Sequence, residues 1–426
     1  MKEDVLEFIY RLKREGIKYD LAPMRKYDEL FGKPHESYKN IHITGSNGKG
    51  SVSSMIFNVM RMRKRTGLYT SPHLIEFNER ILAQDQFISD EEIESLYTFY
   101  MPFVEAGLKN DRNPTFFEIT TEMAFQHFKN TRMDWASIEV GLGGRLDATN
   151  VLTPEISVVT RIGYEHTDKL GTTLMEIARE KGGIIKEGKP LVTGEKKPEP
   201  YMELERICKM KNSRIIRAWE YVSVKDVRID GFETNFRAIT PNDEYDITLN
   251  VPGKFQIENA CTAISALENS GEFLDRKNIE EGMNNTRWPG RLQIVSKNPL
   301  VVVDASHNPP AATTLASSVR DIYRSKPVLI VGMLSDKDHY SYLHNISKCA
   351  DSIILTTPEE PQRAQSPEKL RAIAEGIFKN VKVIKDPVEA YEYSISRNDF
   401  TLVTGSMYLV GKILKELNID MRPFSK

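Results

Sequence analysis

With 426 residues, 40% of them hydrophobic and 28% charged, the chain has a globular composition and too much length for one compact core, so two or three domains are expected. Its 58 Lys and Arg against 60 Asp and Glu leave a formal charge of −2, which excludes a general nucleic-acid binder with a basic excess. No apolar run approaches the ~20 residues that span a bilayer, Met1-Lys2-Glu3-Asp4 lacks a signal peptide's apolar stretch, and Cys208, Cys261 and Cys349 are too scattered for a zinc site or a disulfide framework; the chain reads as cytoplasmic, with no membrane partner.

The first forty residues read as helical and then loop-like, with the pattern broken at Pro23. From Ile41 to about Val192, β-type runs (41–44, 67–69, 135–140, 156–160) alternate with amphipathic helices. Ser89-Asp90-Glu91-Glu92 has the form of a capping box and predicts a helix start. This alternation predicts an α/β domain with a largely parallel sheet. Beyond Trp219 the runs 221–228, 232–239 and 245–251 alternate with period two, and Asp230-Gly231 signals a hairpin, so a small antiparallel sheet is expected. A helix over 256–268 follows, then Trp288-Pro289-Gly290-Arg291 interrupts regular structure. Strand-like runs at 300–303, 327–331, 352–356, 381–384 and 401–404 predict a second, Rossmann-like α/β domain. The boundary is placed near 296, giving domains 1–296 and 297–426.

One segment carries the most chemistry. Ile41-His42-Ile43-Thr44-Gly45-Ser46-Asn47-Gly48-Lys49-Gly50-Ser51 reads as a strand, a glycine-rich turn and a helix start. Glycines Gly45, Gly48 and Gly50 let the backbone approach an anion, Lys49 adds a point charge, and the helix presents its positive end. Ser51 is placed to hold Mg²⁺ accompanying phosphates. A nucleotide-phosphate site, for ATP, is expected, although the glycine spacing is shorter than in a standard P-loop and Gly50 separates Lys49 from Ser51. A glycine-rich turn without ligand is the bland alternative.

Further candidates sit at strand ends, where open α/β sheets bind ligands. Ser71 closes one run, and a plain Ser-Pro turn is an equal reading. Glu139 ends an apolar strand before a glycine turn; such a carboxylate needs a cation, either a metal ion or Arg145. His166 follows the strand at 156–160 and is either a metal partner or a surface histidine. Lys181, with Glu176 and Glu180 near it, ordinarily reads as solvated. In the second domain Asp304 and His307 follow a valine strand, and 332–338 and 404–408 occupy matching turns.

The ordered set of this phosphate loop, Tyr69-Thr70-Ser71-Pro72-His73-Leu74, Glu139-Val140-Gly141-Leu142-Gly143-Gly144-Arg145-Leu146-Asp147-Ala148-Thr149-Asn150, His166-Thr167, Arg179-Glu180-Lys181, Pro289-Gly290-Arg291-Leu292, His307-Asn308-Pro309 and Thr404-Gly405-Ser406 resembles the folylpolyglutamate and dihydrofolate synthases of the Mur-type ligase group over about residues 1–420. The resemblance implies that Gly45, Asn47, Gly48, Lys49, Gly50 and Ser51, with Asn259, Arg291 and Asp304, bind ATP. It implies Mg²⁺, two ions, on Ser51, Ser71, Glu139, His166 and a carbamylated Lys181. Asp20, Arg25, Arg145 and Asp147 would contact folate or pteroate, and His307 and Ser406 the glutamate. Lys49, His166, Lys181, Arg291, Asp304 and His307 form the implied catalytic set.

The implied reaction activates a substrate carboxylate as an acyl phosphate, which the amine of L-glutamate then attacks. Both folylpolyglutamate and dihydrofolate synthase activities are favoured, in a monomer. The family usually has Asp at the position of Glu165, Ala at that of Gly183, and Asp-Gly-Ala-His where this chain has Asp304-Ala305-Ser306-His307. The first two departures read as small; the third threatens a turn, because Ala305 adopts φ > 0 less freely than glycine. A Mur-type ligase for another carboxylate, and a non-enzymatic P-loop switch, are the competing readings.

Overall fold

The computed structural model describes Val5 and residues 20–108, 114–360 and 362–424. The helical reading before Asp20 lies outside the described residues. Pro23 does not break a helix. It sits in the first turn of α1 (Ala22–Leu30), where a missing N–H costs nothing.

The first sheet contains β1 (Lys39–Thr44), β2 (Thr66–Tyr69), β3 (Ile81–Ala83), β4 (Gln86–Phe87), β5 (Trp135–Glu139), β6 (Ile156–Val159), β7 (Leu191–Thr193) and β8 (Ile215–Arg217), in the order β4-β3-β2-β5-β1-β6-β7-β8. Six of these strands run parallel; β3 and β4 fold back antiparallel beside β2. The parallel strands are buried on both faces, which is why they read as unbroken apolar runs. The two- and three-residue strands β3, β4, β7 and β8 carry too little pattern to be read from sequence.

Helices α2 (Lys49–Met60), α3 (Asp90–Leu108), α4 (Phe116–Asn130), α5 (Leu174–Gly182) and α6 (Lys254–Glu268) belong to the same unit. At the start of α3 the expected capping box forms: Ser89 N–H donates to Glu92, and Glu92 N–H to the Ser89 hydroxyl. The antiparallel sheet β9 (Ser223–Ile229), β10 (Thr234–Ile239), β11 (Glu244–Leu249) follows, with Asp230 accepting from Phe232 and Glu233 N–H at the hairpin. It shares one core with α2, α6 and the underside of the large sheet, through Val52, Ile56, Phe236, Tyr245 and Ile264. Burying an aliphatic side chain such as Val52, Ile56 or Ile264 contributes about 1.5–3 kcal/mol.

The second unit has β12 (Gln293–Lys297), β13 (Leu300–Val303), β14 (Val328–Val331), β15 (Ser352–Leu355), β16 (Asn380–Val383) and β17 (Thr401–Thr404), ordered β12-β13-β17-β14-β15-β16. All pairs are parallel except β12 with β13. Residue 296 therefore falls inside β12, which belongs to this second sheet. Helices α7 (Pro309–Ile322) and α8 (Met407–Glu416) pack on opposite faces of it.

One buried group stands apart from the strand ends. Glu122, on α4, is 2% exposed, and neither of its carboxyl oxygens has a hydrogen-bond partner. Burial, and then the charge of Asp28, push its pKa well above the carboxylate range. An acid raised in the native state gives stability that is complete below its unfolded pKa of about 4.3 and is lost as pH climbs through the native value. Wild-type stability in denaturant titrations should therefore fall more steeply above about pH 5 than that of Glu122→Met, which should be about 1–3 kcal/mol more stable at about pH 8. Parallel pH curves for the two proteins would contradict this.

Candidate functional site

Both sheets turn the carboxyl ends of their strands toward one cleft of about 970 Å³. On its first wall β1 ends at Thr44 and the chain enters the glycine turn. Gly45 has φ of 147° and Gly48 φ of 90°. A Cβ on Gly45 would lie 1.7 Å from Thr160 Oγ1, and one on Gly48 2.4 Å from Asn259 Oδ1, so neither position admits a side chain. The turn is laced to the exit of β6: Ser46 and Asn47 N–H donate to Arg161 O, and Thr160 Oγ1 donates to Asn47 O at 2.8 Å. These two N–H groups are thus committed inside the protein. The donors left to face an anion include those of Gly48, Lys49, Gly50 and Ser51, ahead of the first intrahelical bond, from Val52 N–H to Gly48 O. Lys49 Nζ donates to Gly45 O at 2.8 Å, which holds the cation over the loop.

Glu139 ends β5 beside this loop and is 4% exposed. Burial raises its carboxyl to about 7, against the opposing pull of Lys49, the Ser71 N–H, Arg291 and Arg80. Ser71 N–H donates to Glu139 Oε2 at 3.1 Å, bringing the end of β2 to the same point. Arg145 is not its partner: that guanidinium grips Glu180, with Nε 3.0 Å from Oε1, and does not line the cleft.

Lys181 overturns its solvated reading. It lies on the face of α5 shared with Ile177 and Ala178, is 1% exposed, and sets Nζ 2.5 Å from Glu165 Oε1. Burial lowers its amine to about 8, with Glu165 opposing and Lys49 reinforcing. Burial would raise Glu165 itself, but Lys49 and Lys181 outweigh it and hold that carboxyl below the usual range. Glu165 thus reaches a buried lysine from the turn after β6. His166 heads the next helical turn in a left-handed conformation, with its pKa lowered by burial, and lines the cleft. At Gly183 a Cβ would be 2.4 Å from Arg145 Cα, so this backbone admits no side chain there.

The opposite wall comes from the second unit. Arg291, Asp304 and His307 line it. Asp304 accepts from Leu292 N–H and Ser306 N–H, both at 2.9 Å, and from the Ser306 hydroxyl, so it ties the incoming chain to the end of β13. His307 Nδ1 lies 3.0 Å from Ala305 O; a carbonyl only accepts, so Nδ1 carries the proton and neutral His307 keeps its lone pair on Nε2. Burial lowers the His307 pKa, favouring that neutral form. Ala305 is absent from the positive-φ residues, so the turn never asks for glycine there.

Asp20, Asp147 and Asn259 also line the cleft, whereas Gly45, Arg25, Lys181 and Ser406 do not. Asp147 accepts from Leu142 and Thr149 N–H, which makes it a brace for the turn after β5. Arg25 is exposed on α1. Ser406 is 2% exposed and caps α8 through Leu409 N–H, so its hydroxyl serves the fold. Sequence reasoning passed over Arg80, buried in the cleft wall with Nε donating to His73 Nδ1 at 2.8 Å, and Trp288, packed on Gly50. Neither belongs to a periodic or spaced pattern; only the compact charged run Glu76-Phe77-Asn78-Glu79-Arg80 pointed to the first.

Comparison with known proteins fits this geometry. The Mur ligase middle domain matches residues 43–267 and the Mur ligase glutamate ligase domain matches residues 290–407. The dihydrofolate synthase/folylpolyglutamate synthase of Bacillus subtilis is 32% identical, over 97% of this chain and 99% of that one. The crystal structure of folylpolyglutamate synthase from Thermotoga maritima superposes with a TM-score of 0.89 at 36% identity, covering 98% of this chain and 97% of that one. That of Mycobacterium tuberculosis folylpolyglutamate synthase complexed with ADP and AMPPCP gives 0.90 at 29% identity, covering 99% and 100%.

Proposed function

This chain belongs to the folylpolyglutamate and dihydrofolate synthase family of Mur-type ligases, and from that premise we propose that it joins L-glutamate to a folate or pteroate carboxylate, driven by ATP. The observation that carries this reading is the shared cleft: a phosphate loop on one wall faces Arg291 and His307 on the other. We assign the nucleotide to the first unit and the amine substrate to the second. The Bacillus subtilis relative carries both activities in its name over essentially the same length of chain, which supports both here.

The N–H groups of Lys49, Gly50 and Ser51 and the Lys49 ammonium receive the phosphates. Arg291 neutralises charge that develops as the γ-phosphoryl group passes to the substrate carboxylate. The glutamate amine then attacks the acyl phosphate, the C–N bond forms, phosphate leaves, and the amine's proton must be removed. Nε2 of neutral His307 is an acceptor on that wall.

The residues present fit Mg²⁺. Glu139 is a buried carboxylate with a raised pKa, and it is relieved by a cation. Among the described residues no three His, Cys, Asp or Glu groups converge on one metal site. The donors would be Glu139, the hydroxyls of Ser51 and Ser71, His166 and substrate phosphates, the oxygen-rich set Mg²⁺ prefers. When bound, the ion supplies charge neutralisation on the phosphates.

Lys181 is proposed to be carbamylated: its neutral amine attacks CO₂, an N–C bond forms, a proton is released, and an anionic oxygen donor replaces a cation. The buried side chain, with its amine lowered to about 8, supports a neutral fraction near neutral pH.

Product analysis with ATP, glutamate and either dihydropteroate or tetrahydrofolate tests the reading; glutamate-dependent products are expected, and their absence with both acceptors overturns it. Lys49→Ala should lower turnover by about 10²-fold or more while the protein stays folded, and near-normal glutamate-dependent ADP formation would refute the loop's role. Lys181→Ala should be inactive and regain some turnover with a short carboxylic acid in solution. Near-wild-type turnover of Lys181→Ala without added acid would remove the carbamate from the account.

A further inference from the structure

The one covalent link between the units and the C-terminal tail lie side by side on the helix that carries the phosphate loop. The chain leaves the first unit after α6 along 285–292. There Thr286 forms an antiparallel bridge with Phe424, and Arg287 N–H donates to Pro423 O at 2.9 Å. Both strands of this small ribbon are fastened to α2. Ser54 Oγ donates to Arg287 O at 3.1 Å, and Asn58 Nδ2 donates to Pro423 O at 2.7 Å. Trp288 packs on Gly50 so closely that a Cβ there would lie 2.4 Å from the indole.

Phe424 is the plug at the end of the ribbon. It is buried against Phe57, Leu68 and Leu82, and the Arg61 guanidinium lies 3.9 Å over its ring. Upstream, Leu417, Ile419 and Met421 pack into the second unit's core, so one short tail is anchored in both units. Met421 and Pro423 also line the cleft, beside Trp288. This tail belongs to none of the sets that bind phosphate, metal or substrate above.

We propose that residues 421–424, with Asn58 and Trp288, form a positioning strap that fixes the angle at which Arg291 and His307 face the phosphate loop. Without the Phe424 plug the second unit keeps the 285–292 strand and the packing of Leu74, Ile75 and Val251 on its core, but loses its hold on α2, so its orientation widens while the loop keeps its shape. The kinetic consequence rests on the ligase reading; the geometric one does not.

The test uses the full chain with spin labels on Met202→Cys and Lys369→Cys, both exposed and one in each unit; the native cysteines are buried. With AMPPCP bound, the parent should give one narrow inter-unit distance distribution, and Phe424→Ala and Asn58→Ala broader ones. In the unlabelled variants KM for glutamate should rise about tenfold, with ADP affinity held within about twofold and Phe424→Leu restoring most of the loss. A chain ending at Asp420 should behave as Phe424→Ala does or worse, and if it fails to fold the two point variants carry the test. Unchanged distances and unchanged KM in both point variants would overturn the proposal. So would an equal loss of ADP affinity, which would make the tail a mere support for α2. Should the parent form no glutamate-dependent product, the ligase reading fails and the distance distributions alone decide the strap.

Discussion

A carboxylate at the end of a central strand, walled from water, is the constraint on which the site depends. Glu139 closes β5 next to the phosphate loop, and its carboxyl is pushed up to about 7 although Lys49, Arg80 and Arg291 all oppose the shift. Protein cations alone do not offset the burial of this carboxyl. A divalent ion would complete its surroundings, and anionic phosphates would in turn balance the ion and Lys49. The first wall of the cleft is a set of charges arranged for partners that arrive together.

The fold supplies the remainder by bringing strand ends together. Parallel order places the ends of β2, β5, β1 and β6 in a row, so Ser71, Glu139, Thr44 and Thr160 become neighbours although they are far apart in the chain. The second sheet does the same with β13, and Asp304 ties its end to Leu292. Behind this row the unmodified Lys181 amine pairs with Glu165, so the electrostatics of the wall extend two layers deep.

Much of this was legible in the sequence because the signals are local. Apolar runs marked the parallel strands, period-two alternation marked β9 to β11, and glycine spacing marked the strand–turn–helix after β1. The strand-end position of Glu139 followed from its run alone. Lys181 was misread because its acidic neighbours suggested solvent, although Ile177 one helical turn earlier placed it on the buried face. Ser406 matched a motif but is consumed as a helix cap, a distinction that depends on φ and ψ and not on residue type. The plug at Phe424 and the stacking of Trp288 on Gly50 were beyond sequence reading, since each joins segments hundreds of residues apart without a periodic trace.

A Mg²⁺ titration of nucleotide binding and turnover in Glu139→Gln tests the central claim most directly, because the amide keeps the shape and discards the charge. The account predicts that the variant folds, and that the strong Mg²⁺ dependence of the parent is lost along with activity. A titration superimposable on that of the parent would contradict it and return Glu139 to a structural role.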